Sequence, residues 1–524
     1  MHYQIFFNFL KQLIQIIKKC WCSYHKLCNI TYGFISPKFS GSFFFQKTPE
    51  SWAVMGNNFL GTDKISKLLA KFSIPCIVSL LIGALYNLVD QIFIGNSELG
   101  IIGNAAVGVC FSLVMIAQAF AWWIGDGIAA FLTNCQGKKE LKKASSVIAN
   151  SIVITIVISV ILTLITVIFS TPLLELFGAT SQNFGLAKDY IIIVGSCFPV
   201  FMFTNMYTSI MRADGSPTFA MFTILSGAIL NIALDPLFIY VFKLGIQGAA
   251  YATIAGQFST LVFVIIYMYK TKTFKLTRND FKFDFKNTSQ ALKLGISSFI
   301  TQISIVVVTI VLNISLKKYG ELSLYGSDIP QAIFSILTKV YSIVVNIVVG
   351  IVLGGQPIVG YNYSAKKYSR VKTTFLYILI STIIIGVLST LLFIAFPELI
   401  LSIFGSTNNA LYMEFGIKTF RIYLMFIIFN LLIKVAAIFF QAVEEPFKAM
   451  LGALIRDLVV FIPLILILPP IYESQEIGTG INAILYSAPI ADAMGFIIAI
   501  IMMIVFFRKL TKKEKELIET NKVL

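Results

Sequence analysis

The chain has 524 residues, of which 57% are hydrophobic and only 13% charged, and its mean hydropathy is +0.85. A soluble domain carries about 25% charged residues, so the composition excludes a soluble globular protein and describes a polytopic membrane protein. The net charge of +16 does not point to nucleic acid, because the basic residues fall in short tracts between apolar runs, as in cytoplasmic loops.

Taken in chain order, residues 1–54 stand apart. They hold both histidines, His2 and His25, three of the seven cysteines and two of the four tryptophans. Residues 3–18 form a mildly amphipathic stretch, too short and too lysine-flanked to span a bilayer. No small-residue cleavage site marks a secretory signal. The extension reads as a segment upstream of a natural start at Met55, with a peripheral helix as the alternative. Cys20, Cys22, Cys28 and His25 lack the spacing of a zinc site. The seven cysteines form no metal or disulfide framework.

Crossing a ~30 Å hydrocarbon core takes about 20 apolar residues. Twelve stretches qualify: 70–95, 104–133, 144–170, 187–211, 216–241, 246–269, 292–316, 329–360, 372–396, 415–441, 447–469 and 481–507. The loops after the even-numbered spans, with the tail, hold 21 Lys and Arg; the loops after the odd-numbered spans hold three. That asymmetry predicts cytoplasmic termini. The organisation expected is an N-lobe over 55–269, a linker over 270–291, a C-lobe over 292–507 and a basic tail over 508–524.

The two halves repeat each other. ADGSPTFAM (213–221) and AVEEPFKAM (442–450) share Ala, Pro, Ala and Met at an offset of 229, and GKKELKK (137–143) faces SAKKYSR (364–370). An even number of helices separates the copies. The repeat is therefore parallel, with a pseudo-two-fold axis along the membrane normal. Transporters of this construction bind substrate between their halves, whereas channels commonly assemble identical subunits around one pore.

An ionisable residue inside a span costs about 2.5–3.5 kcal/mol on insertion scales and is a functional candidate for that reason. Asp90 lies about five residues from the outer end of the first span and Asp235 about six from that of the fifth. Both fall roughly 8–9 Å inside the outer boundary, and Thr253 of the sixth span lies about 12 Å inside it. Tyr86 with Asp90, and Asn231 with Asp235, are i,i+4 pairs, so each pair shares a helix face. Two carboxylates in low dielectric do not readily both ionise. Such a cluster can hold a proton, or a Na⁺ ion among hard oxygen ligands. The alternative is that Asn231 and Asp235 serve a kink at Pro236. With no histidine after residue 54, carboxylates must carry any proton coupling there. Asp492 lies near mid-depth. Asp126 lies near the inner end of the second span, facing the inner vestibule. Arg456 and Asp457 suit a local ion pair, and Lys339 and Lys434 suit contacts with headgroups or water.

These residues sit in stretches that resemble the MATE (multidrug and toxic compound extrusion) family, most closely its bacterial branch: IPCIVSLLIGALYNLVDQIFIGN (74–96), MRADGSPTFAMFTILSGAILNIALDPLFIYVFKLGIQGAAYATIAGQ (211–257), GGQPIVGYNYSAKKYSRVK (354–372) and FFQAVEEPFKAMLGALIRDLVVFIPLILILP (439–469). The resemblance covers about 60–510. It implies an all-α membrane protein of twelve transmembrane helices in two six-helix lobes around a V-shaped cleft. It implies export of bulky, often cationic compounds in exchange for Na⁺ or H⁺, with no other cofactor, by a monomer that binds no nucleic acid. It also implies a cation site at Asp90, Tyr86, Asn231, Asp235 and Thr253. Where some members carry acidic coupling residues in spans seven and ten, this chain has Gln302 and Asn430. Glu444 and Glu445 stand where many members have Gly and Lys. A lipid-linked oligosaccharide flippase of related fold is the runner-up, though its cavity would be basic, and a narrow-specificity metabolite exporter is another. No HExxH or GxSxG supports an enzyme.

Overall fold

The structure is a computed structural model and describes residues 59–180, 182–326, 328–403 and 410–523; the amino-terminal extension, with Cys20, Cys22 and Cys28, lies outside them. No strand occurs among the described residues. Ten helices are each long and apolar enough to cross a membrane, and two bent pairs bring the number to twelve. The twelve are α1 (Ile65–Gly95), α2 (Gly100–Lys138), α3 (Leu141–Ile168), α4 (Phe184–Ser196 and Phe198–Ala213), α5 (Pro217–Pro236), α6 (Gly245–Met268), α7 (Phe285–Glu321), α8 (Asp328–Ser364), α9 (Tyr368–Ala395), α10 (Ala410–Tyr423 and Ile427–Ala442), α11 (Pro446–Leu454, continuing to Gln475) and α12 (Gly480–Val523). They match the twelve apolar stretches of the sequence one for one. Cys76, Cys110, Cys135 and Cys197 are buried free thiols.

A bilayer reverses the usual amphipathic logic, because lipid tails accept apolar side chains and helix contacts favour small ones. Helix α3 exposes Ile156, Val160 and Leu164 while burying Thr155, and α9 exposes Ile383, Val387 and Leu391 while burying Thr382. Each residue of the second set lies 227 positions after its counterpart, so the repeat extends to which face meets lipid. Helix α4 bends by 55° at Cys197. The segment that follows begins with Phe198-Pro199, and proline has no N–H to continue the ladder.

The loop motifs fold alike as well. Lys139 and Lys366, equivalent at that offset, are both left-handed, at φ 62° and 58°. Gly215 and Glu444, equivalent at 229, are left-handed too, at φ 78° and 61°. Pro217 and Pro446 then open α5 and α11, where a missing N–H costs nothing. Beyond Pro236, α5 widens into a π-helical turn over Leu237–Val241, and α11 does so over Ile455–Phe461.

The halves meet along two antiparallel pairs. Helix α1 runs against α8: a Cβ added to Gly350 would lie 2.7 Å from Ile77 Cα, and one on Gly354 would lie 2.5 Å from Ser73 Cα. Helix α2 runs against α7, where Gly127 faces the backbone of Ala291 and Gly295 that of Trp123. Hydrogen bonds between the halves gather toward the end where α1 begins and α12 finishes, called here the terminal end. Asn362 Nδ2 donates to Leu60 O at 2.9 Å, Lys367 Nζ to Gly61 O at 3.0 Å, and Ser364 Oγ to Asn134 Oδ1 at 2.9 Å. The outermost is Gln302 Nε2 to Met115 Sδ at 3.5 Å. Beyond it no such bond joins the halves among the described residues, and a cleft opens toward the far end.

Candidate functional site

In the first half, Tyr240 Oη donates to Phe93 O at 2.7 Å, pinning the far end of α1 to α5. Gly227 and Gly256 let α5 and α6 approach until a Cβ on Gly256 would stand 2.7 Å from Gly227 O. These contacts put Asp90 on α1, Asn231 and Asp235 on α5, and Thr253 on α6 in one neighbourhood. A cavity of about 70 Å³ is lined by Tyr86, Asp90, Gln118, Tyr190, Thr253 and Gln257, among others. A water needs roughly 10–15 Å³ by the same measure, so the cavity admits several waters or an ion. Thr204 Oγ1 donates to Gln257 Oε1 at 3.3 Å.

Asn231 and Asp235 do not line that cavity. They pack behind its wall, 2% and 0% exposed, with Asn231 Nδ2 donating to Asp235 Oδ1 at 3.4 Å. Asp235 remains within electrostatic range of Asp90. The expected five-residue cluster is therefore two adjoining layers: Tyr86, Asp90 and Thr253 on the cavity, and Asn231 and Asp235 behind.

Three oxygens in these layers are buried with no donor: Asp90 Oδ1, Asn231 Oδ1 and Asp235 Oδ2. A buried acceptor without a partner forfeits its hydration for nothing. All three are acceptors, two from carboxylates, so the group that would complete them is a proton or a hard cation. The arrangement thus has the chemistry of a cation site.

The second half holds the opposite arrangement. Arg456 Nε lies 2.8 Å from Asp492 Oδ1, and Arg456 Nη1 lies 2.6 Å from Asp457 Oδ1. Asn430 Nδ2 donates to Asp492 Oδ1 at 3.0 Å, and Tyr341 Oη donates to Asn430 Oδ1 at 2.6 Å. A tethered guanidinium already occupies both carboxylates, and Asn430 belongs to the same closed network. Gln302 is 3% exposed and has no acidic neighbour in its one side-chain hydrogen bond, the contact with Met115.

Asp126 corrects the expectation that it faces a vestibule. It is 8% exposed and knots three helices together. Ser209 Oγ on α4 donates to its Oδ1 at 2.8 Å, Ser298 Oγ on α7 donates to its Oδ2 at 3.0 Å, and Arg212 stands 3.6 Å away. Sequence reasoning also missed Tyr190, Gln118 and Gln257, because one tyrosine or glutamine in an apolar span has no spacing partner. It gave no account of Glu444, which pairs with Lys138 of the other half at 2.8 Å.

Two repeated six-helix halves, each with its own buried carboxylates, have the construction of a membrane transporter. The MatE family model matches residues 75–237 and 297–467, well over half of the chain, and the chain belongs to that family. The multidrug export protein MepA of Staphylococcus aureus (strain N315) is 23% identical over 462 residues, covering 87% of this chain and 97% of MepA. The fold also matches a multidrug-resistance MATE transporter of the MOP superfamily solved in an outward-facing conformation, with TM-score 0.76, 22% identity, and 88% and 99% of the two chains covered. A MATE crystallised in its straight conformation matches with TM-score 0.79, 22% identity, and 88% and 100% coverage.

Proposed function

We propose that this protein is a secondary active exporter that moves bulky, often cationic organic compounds out of the cell in exchange for H⁺ or Na⁺. The observation that carries the reading is the set of three donorless oxygens on Asp90, Asn231 and Asp235. They form an acidic pocket beside a cleft, while the second-half carboxylates are already neutralised by Arg456. The basic loops at the terminal end support cytoplasmic termini in the cell membrane, so the cleft faces outward.

In this arrangement the pocket takes up the coupling cation from outside. Neutralising Asp90 and Asp235 removes their attraction for a cationic substrate, which leaves through the open cleft. The lobes then rock, breaking the terminal-end contacts and forming new ones at the far end. With the cleft facing inward the cation leaves, and the restored carboxylates attract the next substrate. Aromatic faces along the cleft each add about 0.5–2 kcal/mol for an organic cation.

The test uses proteoliposomes loaded with ethidium, with either a Na⁺ gradient at fixed pH or a pH gradient without Na⁺. One gradient drives transport by the wild type. Asp90→Asn and Asp235→Asn each reduce that transport at least tenfold. Full gradient-driven transport by both variants would refute the coupling role.

A further inference from the structure

Helix α8 carries a basic residue that the coupling chemistry does not use. Lys339 is exposed, although its position along α8 is well inside the span, and its ammonium makes no hydrogen bond or ion pair among the described residues. An ammonium at that depth is unfavourable against lipid, so the direction it faces matters. Lys339 precedes Gly350 by eleven residues, which is three helical turns and about 20° of rotation. Gly350 packs on Ile77 of α1. Lys339 therefore occupies the same face of α8, about 16 Å further toward the far end, where the halves have separated. On that face Ala332, Ser335, Ser342 and Asn346 stand beside Lys339 together with Ile336 and Ile343.

The antiparallel register fixes its level. Gly354 meets Ser73 and Gly350 meets Ile77, so Lys339 stands opposite position 88, two residues from Asp90. The cleft is thus bipolar at one depth, with the acidic pocket behind α1 on one side and an unpaired ammonium on the α8 wall.

We propose that Lys339 is a substrate-binding residue that selects compounds bearing a carboxylate or similar anion beside an apolar, cationic body. The inference rests on the export reading above and narrows its substrate class to zwitterionic amphiphiles. The ammonium holds the anionic group, the apolar body lies across the cleft, and the cationic part points toward Asp90. Bulky cations without an anionic group bind less well, because Lys339 repels them.

A matched pair of dyes tests this: rhodamine 6G, a cationic ethyl ester, and its free acid, rhodamine 19, which has the same xanthene core. Binding to the full chain in nanodiscs is read by fluorescence anisotropy. An ion pair at about 4 Å in a water-filled cleft is worth roughly a fivefold change in affinity. The wild type therefore binds the acid more tightly than the ester. Lys339→Ala lowers the ester-to-acid ratio of dissociation constants about fivefold, and Lys339→Arg retains it. Because a ratio is measured, partial loss of folded protein does not alter the outcome. A change below about twofold in Lys339→Ala, or no saturable binding of the acid to the wild type, overturns the proposal. Dye transport under either gradient is measured separately. Its absence alongside a shifted binding ratio would count against export and leave the role of Lys339 standing.

Discussion

Glu444 occupies a position made for glycine, and it is also half of an ion pair between the lobes. Its φ is 61°, a conformation that costs a residue with a Cβ about 1–2 kcal/mol. Its carboxylate reaches Lys138 Nζ at 2.8 and 3.1 Å, with the side chains 23% and 41% exposed. A pair so exposed contributes about 0.2–1 kcal/mol. Glu444→Gly relieves the strain and removes the pair, so the two effects separate. Stability against unfolding rises by up to about 1 kcal/mol, since relief of strain exceeds the loss of the pair. Closure of the terminal end weakens by up to about 1 kcal/mol, which shifts the closed-to-open ratio as much as fivefold. Glu444→Gln keeps the strain and loses the charge, and Lys138→Met loses the charge from the other side; both weaken closure without the gain in stability. Melting in detergent reads the first quantity. Spin-label distances between Lys142→Cys and Lys448→Cys, one on each lobe, read the second. A fall in melting temperature for Glu444→Gly, or closed populations identical across all three variants, would refute this division.

Arg456→Met leaves Asp457 and Asp492 buried without their cation, and removing one partner of a buried ion pair costs about 3–5 kcal/mol. A drop of several degrees in melting temperature is expected, partly recovered in the triple variant that adds Asp457→Asn and Asp492→Asn. Asp126→Ala unties α2 from α4 and α7, and spin-label distances across the terminal end should broaden toward an open population. For orientation, Lys139→Cys should resist a membrane-impermeant maleimide added to intact cells, whereas Gly178→Cys should react; the reverse pattern would invert the topology.

Most of the fold was legible because a membrane enforces it. Twenty apolar residues make a span wherever they occur, so all twelve helices followed from composition. The repeat followed from a few loop residues, and shared structure now accounts for two of the matches: the left-handed Lys139 and Lys366, and Pro217 and Pro446 at helix starts. Pairing within the site was legible only where helical periodicity carries it. Spacing put Asn231 with Asp235, and depth put Asp90 level with them. Which of these residues would reach the cavity was not legible, since that depends on the rotation of α5 against α6 at Gly227 and Gly256. The network of Asp126 escaped because Ser209 and Ser298 lie 83 and 172 residues away and have no spacing signal. Glu444 looked anomalous in the sequence for the same reason: its partner is on another helix of the other half.

Along both helix pairs the lobes come closest at residues that have no side chain. Gly127, Gly295, Gly350 and Gly354 lay backbone on backbone along both helix pairs, so at these points no side chain separates the two halves. Such a seam holds backbone against backbone in close contact. It also leaves no clearance, and a single methyl at Gly295 would press into the carbonyl of Trp123 and act as a wedge. Gly295→Ala would hold the terminal end ajar, so the smallest possible addition to this chain would part its two halves.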